Sequence, residues 1–205
     1  MASVPQIAAP DAVRQIRRVQ TITIAWMIVE TIVSLFSAVH AHSPALMAFG
    51  GDSAVELLSA VVVLRRFRAG AAHDSAERLA TRIAGALLFA LAALVALISA
   101  LSLLGYSEPK PTVIGIVVLV VAAVIMPWLA REKRRLSTIT GSAALRADAA
   151  ESALCAYLSV IALIGLAMNN VWQFRWADSI AALVIVPLIV WEGREAMRGK
   201  ACGCC

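Results

Sequence analysis

The segment Pro44–Leu64, PALMAFGGDSAVELLSAVVVL, decides the fold, because it is an apolar run whose only charged residues are Asp52 and Glu56. Its length is close to the roughly 20 residues that a helix needs to cross the hydrocarbon core of a bilayer. A lone segment in lipid satisfies its backbone hydrogen bonds internally only as a helix. The sequence therefore predicts a transmembrane helix with two carboxyl groups near its middle.

Apolar segments of this kind recur along the whole chain. Of the 205 residues, 61% are hydrophobic and 15% charged, and mean hydropathy is +0.84; soluble domains carry about 25% charged residues. The other five segments are Thr21–Val39, Ile83–Leu104, Val113–Leu129, Ala149–Met168 and Trp176–Trp191. They predict an all-α membrane protein with six transmembrane helices. The fifth helix is expected to begin earlier, near Ser142.

This reading divides the chain into an N-terminal segment (1–18), a six-helix membrane domain (19–198) and a cysteine-rich tail (199–205). The first apolar segment is interpreted as a retained span rather than a signal peptide, because it is long and contains Glu30. Small residues along the third helix are expected to allow close helix packing. They are Gly85, Ala86, Ala90 and Ala93.

Basic residues occur in alternate connections. The N-terminal segment, the second-to-third and fourth-to-fifth connections and the C-terminal segment hold 16 of the 18 lysines and arginines, all except Lys110 and Arg175. The positive-inside rule then places both termini in the cytoplasm. This placement explains the net charge of +5 without a nucleic-acid partner. The run from Arg131 to Arg135 is expected to fix orientation and meet anionic lipid headgroups.

Asp52 and Glu56 are four residues apart, so they project from one face of the second helix. A charged group at this depth costs roughly 2.5–3.5 kcal/mol even on the insertion scale, and such residues mark ion pathways. The alternative is a pair of protonated or serine-bonded carboxyl groups that brace a helix contact.

The fifth helix offers a second pair at the same spacing, Glu151 and Cys155. A lone membrane cysteine is usually a small hydrophobe, but antiparallel second and fifth helices would bring both pairs to similar depth. Three carboxylates and a thiolate suit four-coordinate Zn²⁺, and the sulfur favours softer ions over Mg²⁺ and Ca²⁺. The sequence thus predicts a divalent-metal site of Asp52, Glu56, Glu151 and Cys155.

Such a site would exchange protons for metal, because neighbouring carboxylates in a low dielectric cannot all stay ionised and metal binding releases their protons. Glu30, in the first helix, is a candidate proton relay or acceptor beside the ligands. Asp148, one turn before Glu151, is a weaker candidate for the same role or a solvated residue near the cytoplasmic mouth. In the tail, Cys202, Cys204 and Cys205 form a candidate soft-metal capture motif or a disordered end with reactive thiols.

Two stretches, Ser43–Glu56 (SPALMAFGGDSAVE) and Leu145–Cys155 (LRADAAESALC), resemble the cation diffusion facilitator family of metal transporters. The resemblance extends from about Gln20 to Arg198. It implies a six-helix bundle that exports metal ions from the cytoplasm in exchange for protons by alternating access. The family's four ligand positions fall on Asp52, Glu56, Glu151 and Cys155.

This chain departs from the family pattern in two ways. Typical members have aspartate or histidine in the second helix and a histidine–aspartate pair in the fifth, whereas this chain has Asp–Glu and Glu–Cys. The usual cytoplasmic C-terminal domain is expected to be absent, since little follows Glu192. The resemblance implies a divergent bacterial branch in the inner membrane, and a homodimer held by membrane helices.

The sequence therefore predicts a proton-coupled exporter of Zn²⁺, or of Cd²⁺ or Co²⁺, with no prosthetic group and no enzymatic activity. Its partners are the metal ion, protons, the lipid bilayer and a second copy of the chain. Two alternatives remain: a proton-driven exporter of organic cations that uses Glu30 or Glu56, and a membrane metal sensor that transports nothing. A metal-dependent membrane hydrolase is disfavoured, since the spans contain neither histidine nor an HExxH-type motif.

Overall fold

The computed structural model describes residues 10–69, 74–110, 112–174 and 176–198. These residues fold into six helices, with no strand among them. The helices are α1 (Pro10–Ala41), α2 (Pro44–Ala69), α3 (Asp74–Leu103), α4 (Val113–Thr140), α5 (Ala143–Trp172) and α6 (Ala177–Met197). The predicted six-helix, all-α architecture is confirmed.

The helices extend beyond the apolar segments, mainly at the end of the bundle where the basic connections lie, called here the basic end. α1 begins at Pro10 rather than Thr21, and α4 continues to Thr140. The early start of α5 is confirmed, because the Ser142 side chain caps the helix by accepting a hydrogen bond from the Leu145 amide at 3.3 Å. Gly141, with φ of 64°, supplies the left-handed residue that ends α4.

Five helices, α1 to α5, contain a stretch long and apolar enough to cross a membrane. The sixth has 21 residues, which corresponds to about 31 Å of helix at 1.5 Å per residue and so matches a hydrocarbon core of about 30 Å. Its acidic residues lie near its ends, at Asp178, Glu192 and Glu195. We therefore treat α6 as the sixth span, packed against α3 and α5.

The bundle buries several polar and charged side chains within a largely apolar core, and its exterior is rich in exposed apolar side chains. Buried side chains include Gln20, Glu30, Asp52 and Glu56, whereas Ile32 is 63% exposed and Val124 is 69% exposed. Helix α2 lies at the centre of the bundle, because it contacts α1, α3, α5 and α6. Its two carboxyl groups consequently face protein on several sides.

Glycines allow α2 and α5 to approach their neighbours closely. A Cβ at Gly50 would lie 2.8 Å from Ser34 Cβ of α1, and one at Gly51 would lie 2.4 Å from a methyl carbon of Leu91 in α3. At Gly165, a Cβ would lie 2.4 Å from Ala181 Cβ and 3.1 Å from the Ala177 carbonyl oxygen of α6.

Within one copy of the bundle, only one of the four small residues of α3 makes the predicted close helix contact. Gly85 packs against α6, where a Cβ would meet the Gly193 carbonyl oxygen at 3.0 Å. Ala86, Ala90 and Ala93 face outward instead. The reason is helical periodicity: α3 buries Ala84, Leu88, Ala92 and Val95 on its inner face, which turns the other three alanines away from the bundle.

Gly165→Ala should lower the stability of the bundle by about 1–3 kcal/mol, the usual cost of overpacking, because the added methyl group meets backbone and Cβ atoms of α6 that cannot rotate away. Gly193→Ala is the matched control. Its Cβ would meet Leu88 Cβ at 3.3 Å, and the better helix propensity of alanine, worth up to about 1 kcal/mol, offsets that contact. Denaturant unfolding in mild detergent measures both, and equal stability of the two variants would contradict the prediction.

Candidate metal centre

Helices α2 and α5 run antiparallel, and three pairs of side chains connect them. Ser59 Oγ donates to Glu151 Oε1 at 3.2 Å, Ser152 Oγ donates to Glu56 Oε1 at 2.7 Å, and Ser53 Oγ lies 3.9 Å from Cys155 Sγ. From one contact to the next, the residue number in α2 decreases while the residue number in α5 increases. The expected antiparallel arrangement is therefore present, and it brings the two predicted pairs to neighbouring levels.

Glu30 of α1 lies at the same level as Cys155 and is fully buried. Its Oε1 accepts hydrogen bonds from Ser53 Oγ at 2.6 Å and from Cys155 Sγ at 3.4 Å, and its Oε2 accepts one from the Trp26 indole N–H. A candidate ligand thiol thus donates directly to this carboxyl group. Cys155 also lies within hydrogen-bonding reach of Glu56.

Glu56 is linked to the basic end of the bundle through a buried lysine. Lys133 Nζ of α4 donates to Ser152 Oγ at 2.7 Å, and the same hydroxyl donates to Glu56. Lys133 also forms an ion pair with Asp148 Oδ2 at 3.0 Å, with the two side chains 0% and 1% exposed. Gln20 Nε2 of α1 donates to that oxygen at 2.7 Å.

This geometry corrects two expectations from the sequence. Lys133 does not meet lipid headgroups but lies inside the bundle, where it forms a buried ion pair with Asp148. Asp148 is not solvated either: it is buried, and it joins α5 to α4 and α1.

The remaining acidic side chains of the centre involve α6. The carboxyl groups of Asp52 and Glu192 lie within hydrogen-bonding reach of each other. A hydrogen bond between two carboxyl groups requires that one of them carry the proton. Glu151 lies near Glu192 and Glu56, as their mutual electrostatic interactions indicate.

In the part of the chain that the structure describes, no three histidine, cysteine, aspartate or glutamate side chains stand close enough together to hold an ion as they are arranged. The candidate ligands are instead held by serines, by a thiol and by one another. Serine-bonded carboxyl groups were the structural alternative for the α2 pair, and Glu56 is indeed bonded to Ser152. Even so, Glu56 Oε2 and Glu151 Oε2 are buried without a hydrogen-bond partner, so both carboxyl groups retain coordinating capacity.

Asp178, at the start of α6, has a separate structural role at the end of the bundle opposite the basic end. It accepts hydrogen bonds from Ser43 Oγ at 2.7 Å and from the Ala45 amide at 3.3 Å. These bonds join the first turns of α2 and α6. The tail cysteines Cys202, Cys204 and Cys205 lie outside the described residues.

Lys133 and Glu192 were not predicted to lie at the site, although their spacing from buried residues of the same helix indicates that they face inward. Lys133 continues the buried stripe of α4 that contains Met126, Leu129 and Leu136, and Glu192 follows Ile189 on the inner face of α6. Their position near the polar ends of apolar segments made them resemble interfacial residues. The serine partners carry no comparable signal, since serine is common in membrane helices.

The model of the cation efflux transmembrane domain matches residues 21–199. The chain belongs to the cation efflux family. The match covers most of the chain and confirms the resemblance to cation diffusion facilitators drawn from the α2 and α5 stretches. Membership marks the protein as a multi-pass membrane protein of a transporter family rather than an enzyme.

A curated relative is the manganese efflux system protein MneS of Bacillus subtilis (strain 168). It is 27% identical over 177 residues, which make up 82% of this chain and 61% of the relative. The chain therefore spans about three fifths of the length of that protein.

Lys133→Met should destabilise the bundle by about 3–5 kcal/mol, because it leaves Asp148 as a buried carboxylate without its cation. Lys133→Met combined with Asp148→Asn should recover much of this loss, since no uncompensated charge remains. Arg135→Met is the control: its ion pair with Glu132 is solvent-exposed and worth about 0–1 kcal/mol. Thermal unfolding in mild detergent ranks the stabilities of these variants. A double variant no more stable than Lys133→Met alone would refute the prediction.

Proposed function

We propose that the protein exports a divalent transition-metal ion from the cytoplasm in exchange for protons, with Asp52, Glu56, Glu151 and Cys155 as its ligands. Membership of the cation efflux family supports the transport of a cation. The observation that carries the site assignment is the pairing of α2 with α5, which brings together the two ligand pairs from distant parts of the chain. Glu30 is proposed to accept the thiol proton, because it already accepts a hydrogen bond from Cys155.

Proton exchange follows from the charge of the centre. Several carboxyl groups lie in a low-dielectric interior whose one nearby cation, among the described residues, is Lys133. Because these groups cannot all be ionised without a counter-charge, metal entry must be accompanied by proton loss. A divalent ion would take over the neutralising role of the protons, and the reverse exchange would release it. Alternating access between two open states is the simplest cycle compatible with this exchange.

The metal remains a choice between Zn²⁺ and harder ions. The Cys155 thiol favours Zn²⁺ or Cd²⁺, and Zn²⁺ remains the first proposal, with Co²⁺ also compatible. The carboxylates favour Mn²⁺, which is the ion named for the Bacillus relative. A transport assay with several ions is needed to rank them.

We propose that the protein lies in a bacterial inner membrane with both termini on the cytoplasmic side. Arg14, Arg17 and Arg18 precede the apolar part of α1, and Arg131, Arg134 and Arg135 lie in the last turns of α4 at the same end of the bundle. The positive-inside rule makes that end cytoplasmic. A homodimer is also proposed, because the outward alanines of α3, Ala86, Ala90 and Ala93, allow close approach of a second helix.

Glu56→Gln and Cys155→Ser should each reduce metal uptake into proteoliposomes by about tenfold or more, the usual scale for disturbing a metal site. Glu56→Gln keeps the shape and the hydrogen bond from Ser152 but removes the charge. Initial rates for Zn²⁺, Cd²⁺, Co²⁺ and Mn²⁺ under an imposed pH gradient give the measurement. Glu195→Gln, which removes a carboxylate that pairs with Arg198 at the surface, and Ser159→Ala, on the same helix as Cys155, are the controls.

Wild-type flux of all four ions in both substituted proteins would show that the site is misassigned. If wild-type protein moves organic cations and none of the metals, the organic-cation exporter is correct. Metal binding without any flux would identify a sensor.

The homodimer predicts disulfide cross-linking of Ala90→Cys in membranes, in a background without the tail cysteines. Ala92→Cys is the matched control, since Ala92 is 4% exposed and faces the bundle. Non-reducing electrophoresis after mild oxidation should show a dimer for position 90 alone. Equal cross-linking at both positions, or at neither, would argue against a dimer through α3.

A further inference from the structure

Glu192 of α6 lies near three of the four proposed ligands, although it was not a candidate ligand in the sequence. Its carboxyl group lies within hydrogen-bonding reach of Asp52 and close enough to Glu151 and Glu56 to interact with them electrostatically. These neighbours belong to α2 and α5, so Glu192 adds a third helix to the acidic centre. The distance along α6 from Ala177, where the helix starts, places it near the basic end.

The centre contains carboxylate oxygens that no protein group satisfies. Glu56 Oε2, Glu151 Oε2 and Glu192 Oε2 are buried and lack a hydrogen-bond partner. Glu56 itself is only 4% exposed. Buried carboxylate oxygens without donors are costly, and oxygens on three neighbouring helices supply the kind of ligand that a divalent cation prefers.

We propose that Glu192 is a further ligand of the transported cation, an inference that rests on the proposed metal export. An incoming ion would replace the close approach of Asp52 and Glu192 to each other and draw both carboxylates to itself. Metal binding would thereby tie α6 to α2 and α5. The sulfur of Cys155 would then be one donor beside four carboxylates.

This composition has a consequence for ion selectivity. Zn²⁺ is satisfied by four ligands in tetrahedral geometry, so it can keep a complete shell from α2 and α5 alone. Mn²⁺ prefers oxygen ligands and six-coordinate geometry and gains more from an additional carboxylate. Glu192 should therefore matter more for Mn²⁺ than for Zn²⁺.

The test is isothermal titration of purified full-length protein in detergent with Mn²⁺ and with Zn²⁺. Glu192→Gln should weaken Mn²⁺ binding by about tenfold or more and Zn²⁺ binding by about threefold or less, so that the ratio of the two affinities changes. Glu195→Gln, three residues further along α6, is the matched control, because Glu195 pairs with Arg198 at the surface. It should bind both ions as wild type does.

An unchanged ratio of Mn²⁺ to Zn²⁺ affinity in Glu192→Gln would overturn the proposal, whether both affinities stay the same or both fall equally. If the glutamine variant does not fold, Glu192→Asp, which retains the carboxylate on a shorter side chain, replaces it in the test. It should change the ratio of the two affinities in the same direction. If the wild-type protein binds neither metal, the proposed function itself fails. If wild type binds metal and both variants keep its ratio, only the role of Glu192 fails.

Discussion

A carboxyl group inside a membrane bundle needs a proton, a cation or several hydrogen-bond donors, and this need organises the interior of the protein. Glu30 receives hydrogen bonds from a serine, a thiol and an indole, while Asp148 receives an ammonium group and an amide. Each donor comes from a particular helix. The hydrogen bonds and ion pairs that stabilise the acidic groups thus also determine which helices are neighbours. The same contacts hold α1, α2, α4 and α5 together.

The acidic interior has three levels with different kinds of partner. At the basic end, Lys133 and Asp148 form a buried ion pair, whose disruption is expensive. At the opposite end, Asp178 holds the first turns of α2 and α6 through Ser43 and a backbone amide. Between them, Glu30, Glu56 and Glu151 accept hydrogen bonds from neutral hydroxyl and thiol groups. The fixed contacts therefore lie at the ends, and the exchangeable ones lie in the middle.

The sequence predicted the helices well because a bilayer demands long apolar segments. Four-residue spacing also indicated that residues 52 and 56, and residues 151 and 155, share a helix face; their role as ligands stays a prediction. The burial of Lys133 and Glu192 was not predicted, since charged residues near the end of an apolar segment are usually interpreted as interfacial. Their spacing from the buried residues of the same helix indicates that they lie on its inner face. Which serine pairs with which carboxyl group depends on the register between α2 and α5. That register is a tertiary property and has no local signature.

The strength of the middle contacts is compatible with the proposed exchange of metal for protons. A neutral hydrogen bond contributes about 0.5–1.5 kcal/mol net, and one to a charged group about 1.5–3, so the bonds from Ser53, Ser59 and Ser152 are individually weak. A divalent ion coordinated by several carboxylates can displace them without unfolding the bundle, because the ends remain joined by Lys133–Asp148 and Asp178–Ser43. The same argument explains why a lysine would be unsuitable as a direct partner of Glu56. Its charge would compete with the cargo, and the intervening hydroxyl of Ser152 keeps it one hydrogen bond away.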